Sequence, residues 1–350
     1  EGLYRSDIHI DILSKFRLES MMMSFNMELF PPDKYNTLEV TLILIEHFLY
    51  GLTTEKGYKL VEAYKRDKKL STTYSTVMLG DAGITDNGYP LKVVYYTKDG
   101  KFTKDDWKKN NRVVILINND IHPGEPDGVD ASMMLVRDAA TGKIDVPANI
   151  VLVVIPVYNI GGALNRNSNS RANQNGPESY GFRGNAKNLD LNRDFTKCDA
   201  AETISLEELF ARTSPDIFID NHVSDGADYQ HVMTLLASQH DKLGGAAGEY
   251  MYKTFTPLLY KEMKTKGYDM VPYVNDFDKT PENGWTAFFE SPRYSSGFAS
   301  LFGILAYVPE THMLKPFKDR VNATYALMEC FIKLGAEHAA EIKNVRAADK

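Results

Sequence analysis

Two stretches of this chain are built almost entirely from branched aliphatic residues: Val113-Val114-Ile115-Leu116-Ile117 and Ile150-Val151-Leu152-Val153-Val154-Ile155. Neither alternates apolar with polar, as a strand with one wet face would. Continuous runs of this kind are typical of strands buried on both faces, in the middle of a sheet that other elements cover above and below. A fold that holds two such strands must supply that cover, and this excludes most small or single-layered architectures.

The segments around the two runs alternate in type. Strands are expected at Thr76–Leu79 and Pro90–Thr97, with the turn Asp86-Asn87-Gly88 between them. Further strands are expected at Val113–Asn118, Asn149–Tyr158, Asp216–His222, His231–Ala237 and Ile304–Val308. Helical periodicity marks Asp130–Ala140, Ala201–Arg212, Gly245–Lys266 and, as one or two helices, Pro316–Asn344. The alternation predicts an α/β fold with a mostly parallel or mixed central sheet and helices on both faces. No internal repeat and no linker interrupts it. The chain of 350 residues is 43% hydrophobic with a formal charge of −7, enough apolar material for a large core. Mild acidity argues against nucleic acid as a partner, because phosphate binding needs clustered Lys and Arg. The most apolar run outside the sheet, Leu38–Leu52, contains Glu39, Glu46 and His47. It is too short and too charged to span a membrane, and reads as a buried helix or strand. Asp7, His9 and Asp11 alternate as on a polar strand face. Cys198 and Cys330 are the only cysteines, which excludes a disulfide framework and a cysteine-rich metal site; two free thiols are expected.

Three of the buried strands run into polar clusters, and in open α/β sheets ligands bind beyond the carboxyl ends of strands. Val113–Asn118 leads to Asn119-Asp120-Ile121-His122-Pro123-Gly124-Glu125. Asp216–Asp220 leads to Asn221-His222, and Ile304–Val308 to Pro309-Glu310. A His and a Glu three residues apart can reach one ion from the tight turn that Pro123-Gly124 supplies. His222, on a neighbouring strand, would complete a set of two His and one Glu, typical of catalytic zinc with a position left open. A lone His-x-x-Glu is common by chance, and taken alone it reads better as a polar loop. Between Glu125 and His222 lie 96 residues, so only the assembled sheet can bring them together.

The segment Asn188-Leu189-Asp190-Leu191-Asn192-Arg193-Asp194-Phe195 gives these residues a context. Here the chain resembles the carboxypeptidase A-like zinc metallopeptidases. Their pattern is a His-x-x-Glu after a central strand, an Asp-x-Asn-Arg, a lone His at a strand end and a Glu near the C-terminus. The chain offers His122 and Glu125, then Asp190, Asn192 and Arg193, then His222 and Glu310, in that order over roughly residues 76–335. The resemblance implies one zinc ion per chain on His122, Glu125 and His222, with Asp190 orienting the first histidine. It makes Glu310 the general base, Asn192 and Arg193 the anchor for a free C-terminal carboxylate, and Arg183, nine residues before Asn192, the oxyanion donor. Arg166 and Arg171 share that loop as further candidates for the oxyanion. Tyr294, sixteen residues before Glu310, is the candidate for the tyrosine that closes over substrate. The chain departs from the family at Asn159-Ile160-Gly161-Gly162, where many members have Asn-Pro-Asp-Gly, and at Thr311-His312 after the catalytic Glu.

The activity implied is hydrolysis of the C-terminal peptide bond of a peptide. Related deacylases of small N-acyl amino acids keep the same motifs, and a non-catalytic binding protein on the same scaffold is a third reading. By the same resemblance residues 71–350 form the catalytic domain, with residues 1–70 as an unassigned extension packed on it, and one compact unit is expected overall. The resemblance leans toward a secreted or periplasmic setting, which the residues themselves do not fix.

Overall fold

The computed structural model describes residues 37–59, 76–275 and 280–349, with scattered positions before residue 37. The chain divides into two compact units, Glu1–Thr73 and Tyr74–Lys350. In the first, the apolar run forms helix α1 (Thr37–Leu52), with Val40 buried and Ile43 exposed. Asp7 is paired with Arg5 at 2.9 Å, while His9 and Asp11 lie outside the described residues.

The second unit is organised by a nine-stranded sheet. Its strands are β1 (Val77–Ile84), β2 (Pro90–Thr97), β3 (Val113–Asn118), β4 (Ile150–Ile155), β5 (Ile217–Asp220), β6 (His222–Ser224), β7 (Met233–Ala237), β8 (Val271–Pro272) and β9 (Leu305–His312). The order is β1-β2-β4-β3-β5-β9-β7-β8, with β6 also paired to β9. The centre, β4-β3-β5-β9, is parallel, β1 and β2 run antiparallel to their neighbours, and β7 is antiparallel to β9 but parallel to β8. The two aliphatic runs are β3 and β4, side by side in the middle with every residue buried. Their side chains divide strictly by parity. Val113, Ile115, Ile117, Ile150, Leu152 and Val154 enter one core, whereas Val114, Leu116, Val151, Val153 and Ile155 enter the other.

Helices close both cores. Around the sheet lie α2 (Lys104–Lys109), α3 (Asp127–Ala140), α4 (Ile160–Leu164), α5 (Ala201–Thr213), α6 (Gly245–Tyr250), α7 (Thr256–Thr265), α8 (Ser295–Ser300), α9 (Phe317–Glu337) and α10 (Ala339–Ala348). Ala131 and Leu135 of α3, Leu259 and Met263 of α7 and Leu327 and Phe331 of α9 cover the first face. Trp107 of α2, Leu206 and Leu209 of α5 and Phe298 of α8 cover the second. This is the mixed, mostly parallel sheet between helical layers that the sequence predicts. Both thiols are free.

Of the elements whose bounds differ from expectation, three do so for local reasons that the contacts identify. The helix expected at Gly245–Lys266 changes its ladder through a π segment at Met251–Phe255, next to Pro257, which has no N–H to give to the carbonyl four residues back. The strand expected at Asp216–His222 breaks at Asn221, whose N–H turns to the Asn118 carbonyl at 3.0 Å where β3 ends. The last strand runs four residues past Val308, because β6 and β7 continue to pair with it on either side. Among the described residues no helix is long and apolar enough to cross a membrane.

Candidate metal centre

Parallel β3 and β5 end side by side, β9 runs on past them to carry Glu310, and the loops after β3 and β5 meet there. After β3 the chain reverses through Asp120, which has a φ of +63°. The Asn119 amide donates to the Ile155 carbonyl at 2.9 Å and its oxygen accepts from Asn221 at 2.7 Å, pinning this loop to β4 and to the β5–β6 junction. The Glu125 N–H then closes a turn on the His122 carbonyl at 2.8 Å, around Pro123-Gly124. His222 opens β6, in register with Glu310 on β9.

His122, Glu125 and His222 converge, with one ligand atom from each lying within 4.8 Å of the others, and all three are buried. Glu125 sits between the two rings: His122 Nδ1 lies 3.2 Å from Oε1 and His222 Nδ1 2.9 Å from Oε2. The far nitrogen of each ring meets a different carboxylate, His122 Nε2 at Asp190 Oδ1 and His222 Nε2 at Asp220 Oδ2, both at 3.0 Å. Ring nitrogens facing inward with carboxylates behind them is the arrangement of metal-binding histidines, whose outer N–H is held by an acceptor. Two imidazoles and one carboxylate fit a divalent transition metal, and the group can hold one. Burial pushes the Glu125 carboxyl up, but Arg171 and the two histidines more than offset it and hold it well below the usual range. Burial disfavours a charged His222, yet Asp220 and Glu125 outweigh it and raise the ring well above its ordinary value.

The cleft has two lobes that meet at these residues. One, of 320 Å³, is lined by Asn192, Arg193, Tyr294, Ser296, Tyr273 and Glu310. The other, of 410 Å³, is lined by Arg171, Asn173, Phe182, Asp225, His312 and Leu314. In the first, Asp190 caps a 3-10 turn at Leu191–Arg193 by accepting the Asn192 N–H at 3.0 Å. The Asn192 side-chain oxygen accepts from the Ser295 N–H at 3.2 Å, fixing its amide beside His222. Arg193 does not pair with Asp194, which binds the start of α5 instead. Its guanidinium lies 4.2 Å over the Tyr294 ring. Arg183 is 47% exposed and grips Asp190 with Nε at 3.0 Å, while its NH1 lies 3.3 Å from His122 Nδ1. The Glu310 carboxylate accepts no hydrogen bond from a described side chain and opens to the cleft. Burial, with Glu125 adding and His222 opposing, pushes it up to about 8.

Of the nine leading sequence-derived candidates eight line this cleft and the ninth, Asp190, stands behind His122, whereas Arg166, an alternative oxyanion donor, lines a separate cavity beside Asp120 and Pro177. Two further residues belong to the site. Asp220 precedes His222 by two positions, a spacing that strand alternation could have flagged. Arg171, which the sequence offers only as an alternative oxyanion donor, instead binds Glu125, a role that nothing in its sequence surroundings marks. His312 lies two residues beyond Glu310 and lines the second lobe, near Asp228 and the Gly226 carbonyl.

No protein-family model matches the sequence, and no curated protein is detectably similar to it. Solved structures are similar in fold. A metallo-carboxypeptidase from Burkholderia cenocepacia aligns with a TM-score of 0.55 at 14% identity, covering 79% of this chain and 69% of that one. A metallo-carboxypeptidase from Pseudomonas aeruginosa, in complex with (2-guanidinoethylmercapto)succinic acid, gives 0.55 at 14%, covering 83% and 70%. Carboxypeptidase A from Helicoverpa armigera gives 0.56 at 12%, covering 95% and 81%. The chain has a carboxypeptidase A-like fold.

Proposed function

We propose that this protein is a zinc metallocarboxypeptidase that hydrolyses the C-terminal peptide bond of peptides. The observation that carries the reading is the shared cleft: a metal-competent His-Glu-His group with Asn192, Arg193 and Tyr294 on one side and Glu310 directly across the strand from His222. A zinc ion on that group would acidify water, polarise a carbonyl and draw the Glu310 carboxyl back down from its raised value. Arg193 and the Asn192 amide bind the terminal carboxylate, for which a planar guanidinium is suited. Arg183, at the rim beside His122, donates to the carbonyl oxygen as it gains charge. Glu310 takes a proton from the attacking water and delivers it to the departing amine. Tyr294 lies against Arg193 at the mouth of this lobe and covers the bound residue.

The second lobe favours a peptide over a small N-acyl amino acid. Its 410 Å³ lies across the metal group from the carboxylate anchor, in the size range of pockets that enclose an extended ligand. Turnover of N-blocked dipeptides against N-acyl amino acids tests this, and a strong preference for the latter would establish a deacylase instead. Glu310→Gln should lower kcat by about 10²–10⁴ while zinc stoichiometry stays unchanged. Full activity in that variant would remove Glu310 from the mechanism. A wild-type protein that holds zinc but turns over no substrate of either class would be a binding protein.

A further inference from the structure

Arg171 has no part in the chemistry proposed above, yet among the described side chains outside the metal group it makes the shortest contact with it, 2.8 Å to Glu125. Its side chain is 11% exposed, and all three of its nitrogens are used. NH1 donates to Glu125 Oε1 at 2.8 Å, NH2 to the Val223 carbonyl at 2.6 Å and Nε to Gln174 Oε1 at 2.7 Å. Gln174 in turn donates to the Gly124 carbonyl at 3.0 Å. The arginine stem lies over Gly124, where a Cβ would come within 2.7 Å of Arg171 Cδ, so the turn between His122 and Glu125 needs glycine to admit it.

The segment that delivers Arg171 is anchored on every side. The Gly181 N–H reaches the Pro123 carbonyl at 2.8 Å, and the Asn175 N–H reaches Met313 past the end of β9 at 2.8 Å. The Tyr180 hydroxyl lies 2.8 Å from the Arg171 carbonyl, and buried Arg320 donates to Gly176 at 2.6 Å. The remaining oxygen of Glu125, Oε2, accepts the Val223 N–H at 2.9 Å. One planar fork therefore spans from the Glu125 carboxylate to the backbone of β6, one residue from His222.

We propose that Arg171 is a positioning residue of the metal centre. By bridging Glu125 and Val223 it sets the carboxylate ligand against the strand that carries His222, and so slows the loss of the metal. The proposal rests on the reading that His122, Glu125 and His222 hold zinc. It concerns the bridge and not the charge: a lysine keeps the charge but has no planar fork to reach both partners at once.

The experiment is the rate of zinc release to an excess of a chromogenic chelator, measured for wild type, Arg171→Met and Arg171→Lys. Far-UV circular dichroism and thermal melting of the metal-free forms check that each is folded. Removing a partner that orients a ligand typically costs about 10- to 100-fold in metal affinity, so both variants should release zinc about that much faster. The proposal is overturned if both stay within about twofold of wild type, well short of that cost. It is equally overturned if Arg171→Lys retains zinc like wild type while Arg171→Met does not, because charge alone would then suffice. Should Arg171→Met not fold, the lysine variant decides by itself. Wild type that takes up no zinc would instead bring down the reading of the site beneath it.

Discussion

At the scale of single residues, the site depends on what stands behind its ligands. Both histidines present one nitrogen to Glu125 and give the other to an aspartate, and Asp220 is itself held by the buried Asn118 amide at 2.9 Å. An amide at position 220 would keep the shape and lose the charge. Asp220→Asn should therefore weaken zinc binding by about 10- to 100-fold in a competition titration, with little change in the melting temperature of the metal-free form. Unchanged affinity would show that Asp220 only fills space. The residues near His122 were readable in advance because they fall into short ordered motifs. Asp220 was not, and Arg171 was readable only as an alternative oxyanion donor, not as the partner of Glu125. Asp220 is one of three polar residues ending a strand, and Arg171 comes from a loop in which Asn, Ser, Gly and Arg carry no periodicity to place it.

Secondary-structure elements are joined below the site by a buried ion pair. Arg320, at the start of α9, lies 3.1 Å from Asp127, at the start of α3, and donates to the Met313 carbonyl at 3.0 Å. Neither side chain reaches solvent. Arg320→Met would leave a buried carboxyl and two carbonyls without their cationic partner, at a cost of about 3–5 kcal/mol. Urea unfolding would read it, and a loss below about 1 kcal/mol would mean that the pair is not needed there. The elements themselves were legible to different degrees. β3 and β4 could be read without ambiguity, since a run apolar at every position has few other places to go. The ends of elements could not, because partners outside the segment set them. β9 extends to His312 because β6 and β7 flank it, and β5 stops at Asp220 because β3 has ended.

For the molecule as a whole, both cores lie within the second unit, since every buried member of either falls between Ala82 and Ile342. A chain of residues 74–350 should fold cooperatively and bind zinc at full stoichiometry, read by circular dichroism melting and metal analysis. A chain that stays unfolded would show that the first unit is needed. Asp99 is one source of acid sensitivity among several lowered carboxylates, and it takes a two-pronged hydrogen bond from the buried Arg112. That arginine holds the Asp99 carboxyl down at about 2, against the contrary push of burial. An acid whose folded value is lowered stabilises above its unfolded value and loses that contribution as pH falls toward the folded one. The gap in urea midpoint between wild type and Asp99→Asn should thus be constant near neutrality and narrow below about pH 4. A gap independent of pH would exclude the charge as its origin.

The pairing of His222 with Glu310 carries a consequence of counting. Along β9 side chains alternate between the faces, so deleting one residue between Leu305 and Pro309 would turn the position of Glu310 to the opposite side and leave the sheet its hydrogen bonds. Deleting two would return a carboxylate to the correct side, displaced by about 7 Å along the strand. Near this cleft the chain can drift in composition far more freely than in length, and any surviving change of length inside the strand must be even.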